Sequence, residues 1–383
     1  MFAHKFERRL LSQRKAGLFR DPPLLDGRNG KHVYVDGAKV LNLSSNDYLG
    51  LGSSQKVNEI VAQNFLKFGS SASSSRLVSA NHKVIHQAES AFAEYFGYDE
   101  CVFFPSGYQA NLAVVSTFFD QEDRVFFDKH IHASSVTGLK AGQCQFSGFK
   151  HNNLAHLEKR LEKSGRDTTA VLTESLFSMD GDILDVAEFK RLKARHGFLS
   201  VIDEAHAFGA LGPGGQGIGK DAADIAPGTL GKAMGLFGAF VLMPKGLKSY
   251  LFNFASPLIY STSLPAAHAA SALEILKIVE ESEDRRERLQ KNSRYLRDRL
   301  AEAGFQVAGD AHILAVEIGE ETKTYRISRR LLERGMFVFS ARYPTVPQGR
   351  AILRLSMTAM HDEKDIRFFV EQLKEICEHE FLQ

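Results

Sequence analysis

Apolar positions along the chain fall into two rhythms that take turns. Short runs of strand length occur at Val102-Phe103-Phe104, Arg124 to Phe127, Ala170 to Phe177 and Phe198 to Ala205, with further strands expected near Gln145 and at Gly238 to Met243. Between them lie stretches that read as helices, at Tyr108 to Phe119, Leu154 to Lys163 and Val186 to His196. Strands that are apolar on both faces belong inside a sheet covered on both sides. Their alternation with helices predicts an α/β fold with a mostly parallel central sheet wrapped by helices.

The flanks carry a different pattern. Residues 3 to 17 predict a basic helix, broken by Pro22-Pro23. A hairpin follows, with Val33-Tyr34-Val35 and Lys39 to Leu43 as arms and Asp36-Gly37 suited to a type I′ turn. A helix is expected from Gln55 to Phe68, then a serine-rich loop, Gly69 to Ser79, which carries Arg76 and is short enough to be ordered. Beyond the central pattern, Pro265 to Ala303 predicts one long helical region leading to a smaller α+β C-terminal domain. Its expected strands are Ile313 to Ile318, Met336 to Ser340 and Ile352 to Ser356, and its helices Thr324 to Arg334 and Asp362 to Cys377. The expected organisation is an N-terminal helix and hairpin over residues 1–45, a large domain over 46–285 and a small domain over 286–383.

Two adjacent stretches bring in chemistry. The strand Phe198 to Ala205 closes on Asp203-Glu204-Ala205-His206, and ligands bind at the carboxyl ends of parallel strands. An acid there serves as a metal ligand, a general base or the partner of a protonated ring nitrogen. Downstream, Thr229-Leu230-Gly231-Lys232-Ala233-Met234-Gly235 sets one lysine between two glycines. A lysine kept from water and near other cations becomes a neutral amine able to form a Schiff base. Acid and lysine together describe pyridoxal phosphate, whose ring nitrogen needs an acidic partner and whose aldehyde needs an amine.

Composition narrows the classes. Lys and Arg number 48 against 46 Asp and Glu, so no overall basic field favours nucleic acid or an acidic membrane surface. No apolar run approaches the roughly 20 residues of a membrane span. Cys101, Cys144 and Cys377 are scattered and lack metal-ligand spacing, which points to a reducing compartment and to no metal site. The basic N-terminal helix raises a mitochondrial presequence, but Glu7 and the lack of a spacer before the fold argue against it, so a cytoplasmic enzyme is expected.

Two motifs point elsewhere. Asp203-Glu204-Ala205-His206 spells the acidic box of nucleotide-driven helicases, and Gly214 to Lys220 fits GxxxxGK. A phosphate loop needs Ser or Thr after its lysine, whereas Asp221 stands there, and the loop follows the acidic box instead of preceding it. Gly212, Gly214 and Gly217 also fit GxGxxG, but no periodic helix opens there. An NTPase and a dinucleotide site are therefore not expected.

The chain resembles the α-oxoamine synthases, fold-type I pyridoxal phosphate transferases, from Gly17-Leu18-Phe19-Arg20 to Thr358-Ala359-Met360-His361. The likeness rests on Ser45 to Gly50, Ser106 to Asn111, Ser178 to Asp182, Asp203 to His206, Thr229 to Lys232 and Tyr260 to Pro265, in that order. It implies that Lys232 forms the Schiff base and takes the α-proton, and that Asp203 keeps the ring nitrogen protonated. His132 stacks on the ring, while His206 and Ser178 bond around its phenolic oxygen. Ser106, Gly107, Tyr108 and Thr229 cradle the phosphate, and Ser261 and Thr262 reach the cofactor of a partner subunit in a homodimer. Arg354 clamps the amino-acid carboxylate, with Asn46 beside the substrate.

The implied reaction is a decarboxylative condensation of an amino acid with an acyl thioester, carried on coenzyme A or a carrier protein. Tyr343 to Pro347, Asp203 to Gly209 and Tyr260 to Ser263 look most like the branch that joins L-alanine to a pimeloyl thioester in biotin synthesis. Arg20 is then the candidate for the far carboxylate. Gly69-Ser70-Ser71-Ala72-Ser73-Ser74-Ser75 departs from the family's glycine-rich loop, which keeps open a fatty acyl donor, as in synthases of α-aminoketone signals. Branches that use glycine or serine also stay open.

Overall fold

The computed structural model describes residues 2–164 and 169–381. The chain forms two compact units, one of Ser54–Phe177 with Ile183–Arg286, the other of Met1–Ser53, Ser178–Asp182 and Glu287–Gln383. N-terminal and C-terminal segments thus share a unit.

In the larger unit four parallel strands lie in the order Gln145–Phe149, Arg124–Asp128, Thr169–Glu174, Leu199–Asp203. Ala226–Thr229 runs beside the last of them through Ile202 N–H to Ile225 O and Glu204 N–H to Pro227 O bonds. Ala239–Met243 follows antiparallel, and Glu100–Phe104 closes the layer antiparallel to it. Only Ala239–Met243 runs against the others, so the expected mostly parallel sheet holds. Every residue of that strand is buried, and so are five of the six in Thr169–Glu174. This double-sided burial explains their continuous apolar runs.

Helices form at Gly107–Phe118, Leu154–Glu162 and Val186–His196, where the sequence placed them, and also at Lys83–Phe96 and Ala133–Ala141, which it did not mark. Val186–His196 begins at Asp185, whose side chain accepts from Glu188 N–H, and ends at Gly197 with φ 66°. A Cβ is disfavoured in that left-handed conformation. The long helical region expected from Pro265 is two helices, Ala266–Glu280 and Glu283–Glu302. Arg286 explains the break in part: its buried guanidinium donates to Val279 O at 2.7 Å and Glu280 O at 3.1 Å, satisfying carbonyls the first helix leaves open.

The serine-rich loop is held from inside. Arg76 is buried and forms a two-pronged pair with Glu89, whose carboxylate also accepts from Lys248 Nζ at 2.7 Å and Phe103 N–H at 2.9 Å. Ser263 N–H donates to Ser74 O at 3.0 Å, tying the loop to the segment after Tyr260.

The smaller unit carries the predicted hairpin, His32–Val35 paired with Ala38–Asn42, with Asp36 at φ 49° and Gly37 at φ 74° as a type I′ turn requires. A second sheet orders Val307–Ala308, Ile313–Gly319, Ala351–Ser356 and Phe339–Ala341, all antiparallel. The strand expected at Met336 to Ser340 is divided: Met336–Phe337 pairs with Leu41 and Asn42, and Phe339–Ala341 pairs with the Ala351–Ser356 strand. Among the described residues no helix is long and apolar enough to cross a membrane. All three cysteines are free and buried.

Arg76→Ala leaves the buried Glu89 carboxylate short of its main counter-charge. The expected loss is about 3 kcal/mol, read from the urea unfolding midpoint; a midpoint equal to wild type would contradict the anchoring role.

Candidate active site

The carboxyl ends of the parallel strands gather the acids. Glu174 and Asp203 are register partners on neighbouring strands. Asp203 accepts from Ala205 N–H at 2.8 Å through one oxygen and from Asn111 Nδ2 at 2.7 Å through the other. Asn111 sits one turn into the helix Gly107–Phe118, whose head is shaped by Ser106. That serine is extended, and its hydroxyl accepts from Gln109 N–H at 3.2 Å. At Gly107 nothing lies within 4 Å of where a Cβ would be, so the helix head is open. Tyr108 stands half-exposed beside it, its hydroxyl 2.8 Å from Thr137 Oγ1.

His132 caps the next helix, Ala133–Ala141. Its backbone N–H donates to Glu174 Oε1 at 2.6 Å, and its Nδ1 lies 2.7 Å from Ser134 Oγ. Burial lowers its pKa; Asp203 opposes that shift and Lys232 adds to it.

The lysine loop is closed on itself. Leu230 N–H donates to Gly238 O at 2.9 Å, Leu236 N–H to Leu230 O at 2.8 Å and Gly235 N–H to Lys232 O at 3.0 Å. Thr229 Oγ1 bonds Gly238 O and receives Gly231 N–H, both at 3.1 Å. Gly235 at φ 66° and Gly238 at φ 109° adopt conformations that a side chain resists. The loop presents Lys232 Nζ 2.7 Å from His206 Nε2. Ser261 is half-buried and Thr262 exposed, next to Tyr260, which is 82% exposed.

The remaining candidates fall in the smaller unit. Arg354, on the Ala351–Ser356 strand, is buried. It donates to Ser178 O at 2.7 Å, Ser356 Oγ at 2.5 Å and Asn46 Oδ1 at 3.2 Å. Three predicted residues thus meet, around a guanidinium whose hydrogen bonds all go to neutral oxygens. Such a guanidinium could take an anion as a further partner. Arg20 borders a cavity of about 340 Å³ that Leu18, Tyr325, Leu332, Phe337 and Arg342 also line.

Sequence reasoning passed over Asn111, Ser134, Glu174 and Arg342. Asn111 lay inside the Ser106 to Asn111 motif, and its place one helical turn beyond Gly107 was the available signal. Arg342 donates to Gly17 O and, at 3.1 Å, to Phe19 O, and so holds the backbone next to Arg20; nothing local in the sequence marks it.

The helicase-like motifs receive a physical explanation. Glu204 is fully buried and accepts from Ser175 Oγ at 2.7 Å, Ile218 N–H at 3.3 Å and Gly219 N–H. The amides that a phosphate loop would offer to phosphate are taken by the chain's own carboxylate. A Cβ at Gly217 or Gly219 would come within 2.8 or 2.6 Å of that carboxylate, which accounts for both glycines.

A helix head open at Gly107, a carboxylate fixed by two donors, a nearby histidine and a loop-held amine are groups that could hold pyridoxal phosphate. The aminotransferase class I and II family matches residues 38–373. The chain belongs to that family and, within it, to the α-oxoamine synthases, acyltransferases that work with pyridoxal phosphate. Among its relatives, the 8-amino-7-oxononanoate synthase of Stutzerimonas stutzeri (strain A1501) is 39% identical, the match covering 96% of this chain and 95% of the relative. That of Geotalea daltonii is 36% identical over 94% of each. A serine palmitoyltransferase from S. paucimobilis with a bound PLP–myriocin aldimine superposes with a TM-score of 0.92 at 26% identity, covering 99% of this chain and 98% of that one. An 8-amino-7-oxononanoate synthase from Francisella tularensis gives 0.78 at 30% identity, covering 89% and 99%.

Burial pushes the Glu204 carboxyl up to about 7, against the lowering pull of Ser175 and the Gly219 and Ile218 amides. An exposed carboxyl in the unfolded chain releases its proton near 4.5. Between these values the folded state holds the extra proton, so this residue's contribution to stability falls as pH rises from about 4.5 to about 7 and is level above. Urea midpoints of wild type and Glu204→Gln across that window check it: the wild-type value should drop relative to the variant, and a constant difference would reject the assignment.

Proposed function

We propose that the chain joins L-alanine to a pimeloyl thioester with loss of carbon dioxide, giving 8-amino-7-oxononanoate for biotin synthesis, as a cytoplasmic homodimer. The observation that carries this reading is the near-full-length match, at 39% identity, to a relative of that name. The site supplies residues for each task.

Pyridoxal phosphate, when bound, supplies a carbonyl for amines and a protonated ring that draws electrons from the α-carbon. Lys232 would hold it and would take the α-proton of alanine at Nζ. His206, at 2.7 Å from that Nζ, orients the amine and, with Ser178, bonds around the phenolic oxygen. Asp203 keeps the ring nitrogen protonated, and His132 covers the ring. Ser106, Gly107, Tyr108 and Thr229 hold the phosphate, joined by Ser261 and Thr262 of the second copy.

Arg354, with Asn46 beside it, binds the alanine carboxylate, and Arg20 binds the far carboxylate of the acyl chain. The α-carbon would bond to the acyl carbon as the C–S bond breaks, and the sulfur would leave as thiolate. The alanine carboxylate then departs as carbon dioxide, and Lys232 Nζ returns one proton to the same carbon. Large apolar side chains left exposed in the larger unit, Leu77, Val78, Phe237 and Tyr260, support their burial against a second copy.

A second reading, with serine as the amino acid, is favoured by the TM-score of 0.92 to a serine palmitoyltransferase. Absorption spectra of the holoenzyme during separate additions of L-alanine, glycine and L-serine separate the two. The cofactor band is expected to shift at the lowest concentration of alanine, and a stronger response to serine would replace the first reading by the second. In Lys232→Ala the band of the lysine-bound cofactor should be lost, and its retention would overturn the role of Lys232. In Arg354→Ala the KM for L-alanine should rise on the order of tenfold to a hundredfold, with the KM for the thioester unchanged. An unchanged alanine KM would remove Arg354 from the carboxylate site.

A further inference from the structure

We infer that Asn111 is a positioning residue: through one amide group it orients Asp203 and, by way of Ser134, dictates which nitrogen of His132 carries the proton. This rests on the proposed placement of Asp203 and His132 at the cofactor, but not on the identity of either substrate.

The hydrogen bonds leave one consistent arrangement. The Asn111 side chain faces Asp203 Oδ2 at 2.7 Å and Ser134 Oγ at 3.0 Å. An ionised carboxylate only accepts, so the group turned to it is the NH2, and its two hydrogens are both used. Ser134 Oγ therefore receives a hydrogen from Asn111, and its own single hydrogen is left for His132 Nδ1 at 2.7 Å. The backbone N–H of Ser134 also points at that nitrogen, at 3.3 Å, and an N–H can only donate. His132 Nδ1 is thus the acceptor of two hydrogens, and the ring's own proton lies on Nε2.

The two inner members of the chain, Ser134 and Asn111, are shielded from water that could supply a substitute partner, whereas His132 is exposed and Asp203 partly so. Ser134 has no exposed surface and Asn111 is 5% exposed. The backbone of His132 is fixed beside this network, its N–H donating to Glu174 Oε1 at 2.6 Å. A proton on Nδ1 would meet the Ser134 backbone N–H, which can only donate, and would take from the Ser134 hydroxyl its acceptor for a hydrogen. The neutral ring with its hydrogen on Nε2 is the form the network accommodates, and the same Asn111 amide that enforces it holds the oxygen of Asp203 not occupied by Ala205 N–H.

The test uses the holoenzyme labelled with 15N-histidine, and His132→Gln identifies the His132 signals by difference. Wild type should show Nδ1 unprotonated and Nε2 protonated. Ser134→Ala removes the hydroxyl without adding bulk, and the His132 signals should move toward a mixture of tautomers. Asn111→Ala should weaken pyridoxal phosphate binding about tenfold, read by absorbance titration, as one charge-assisted hydrogen bond to Asp203 is lost. Circular dichroism and the unfolding midpoint establish that each variant is folded; should Asn111→Ala not fold, Asn111→Ser, which keeps a donor in a smaller side chain, is read in its place and should fall between wild type and complete loss. An unchanged tautomer in Ser134→Ala, or unchanged cofactor affinity in the folded Asn111 variant, would overturn the inference. Neither readout involves a substrate, so a protein that prefers serine to alanine would refute the alanine reading and leave this result standing.

Discussion

Three carboxylates packed where two neighbouring strands end impose the main constraint on the larger unit. Glu174, Asp203 and Glu204 stand at the carboxyl ends of Thr169–Glu174 and Leu199–Asp203, and a buried charge is tolerated only when donors surround it. Each therefore recruits a different piece of chain. Glu174 takes the backbone of His132, Asp203 takes Asn111 and Ala205, and Glu204 takes Ser175 and the Ile218 and Gly219 amides. The loops that build the site are placed by what these acids need.

The lysine depends on that frame in a second way. Its loop is rigid because the Leu230, Leu236 and Gly238 backbones close on one another. The turn containing His206 is set by Glu204, whose carbonyl receives the Ala207 and Phe208 amides. Two independently rigid segments thus meet at 2.7 Å between Nζ and Nε2. Reacting groups held in this way need little reordering when a ligand arrives.

The smaller unit uses the opposite charge by the same logic. Arg354 is buried among neutral oxygens, and Arg342 spends its guanidinium on the Gly17 and Phe19 carbonyls beside the Tyr325 ring. The acceptors that the hydrogen bonds give Arg354 are all neutral, whereas Arg342 fixes the chain next to Arg20. Their sequence contexts, Leu353-Arg354-Leu355 and Ala341-Arg342-Tyr343, do not tell these tasks apart.

Apolar rhythm alone placed Gln55–Phe68 and Val186–His196 at their observed bounds and located every strand of the larger unit's sheet except Ala226–Thr229, because burial on two faces leaves a continuous apolar run. The aspartate and the glycine-flanked lysine were legible for a related reason, since few other chemistries need that pair in short adjacent motifs. What the sequence could not decide was direction. Asp203 and Glu204 are neighbours, and successive residues of a strand point to opposite faces; only the packing of Asn111 on one side and of Ser175 with Gly219 on the other made one a site residue and the other an anchor. The division of Met336 to Ser340 between two sheets, the reversed Ala239–Met243 strand and the His132–Ser134–Asn111–Asp203 chain likewise join residues far apart in sequence. Local pattern records how deeply a residue is buried, and tertiary structure alone determines against what.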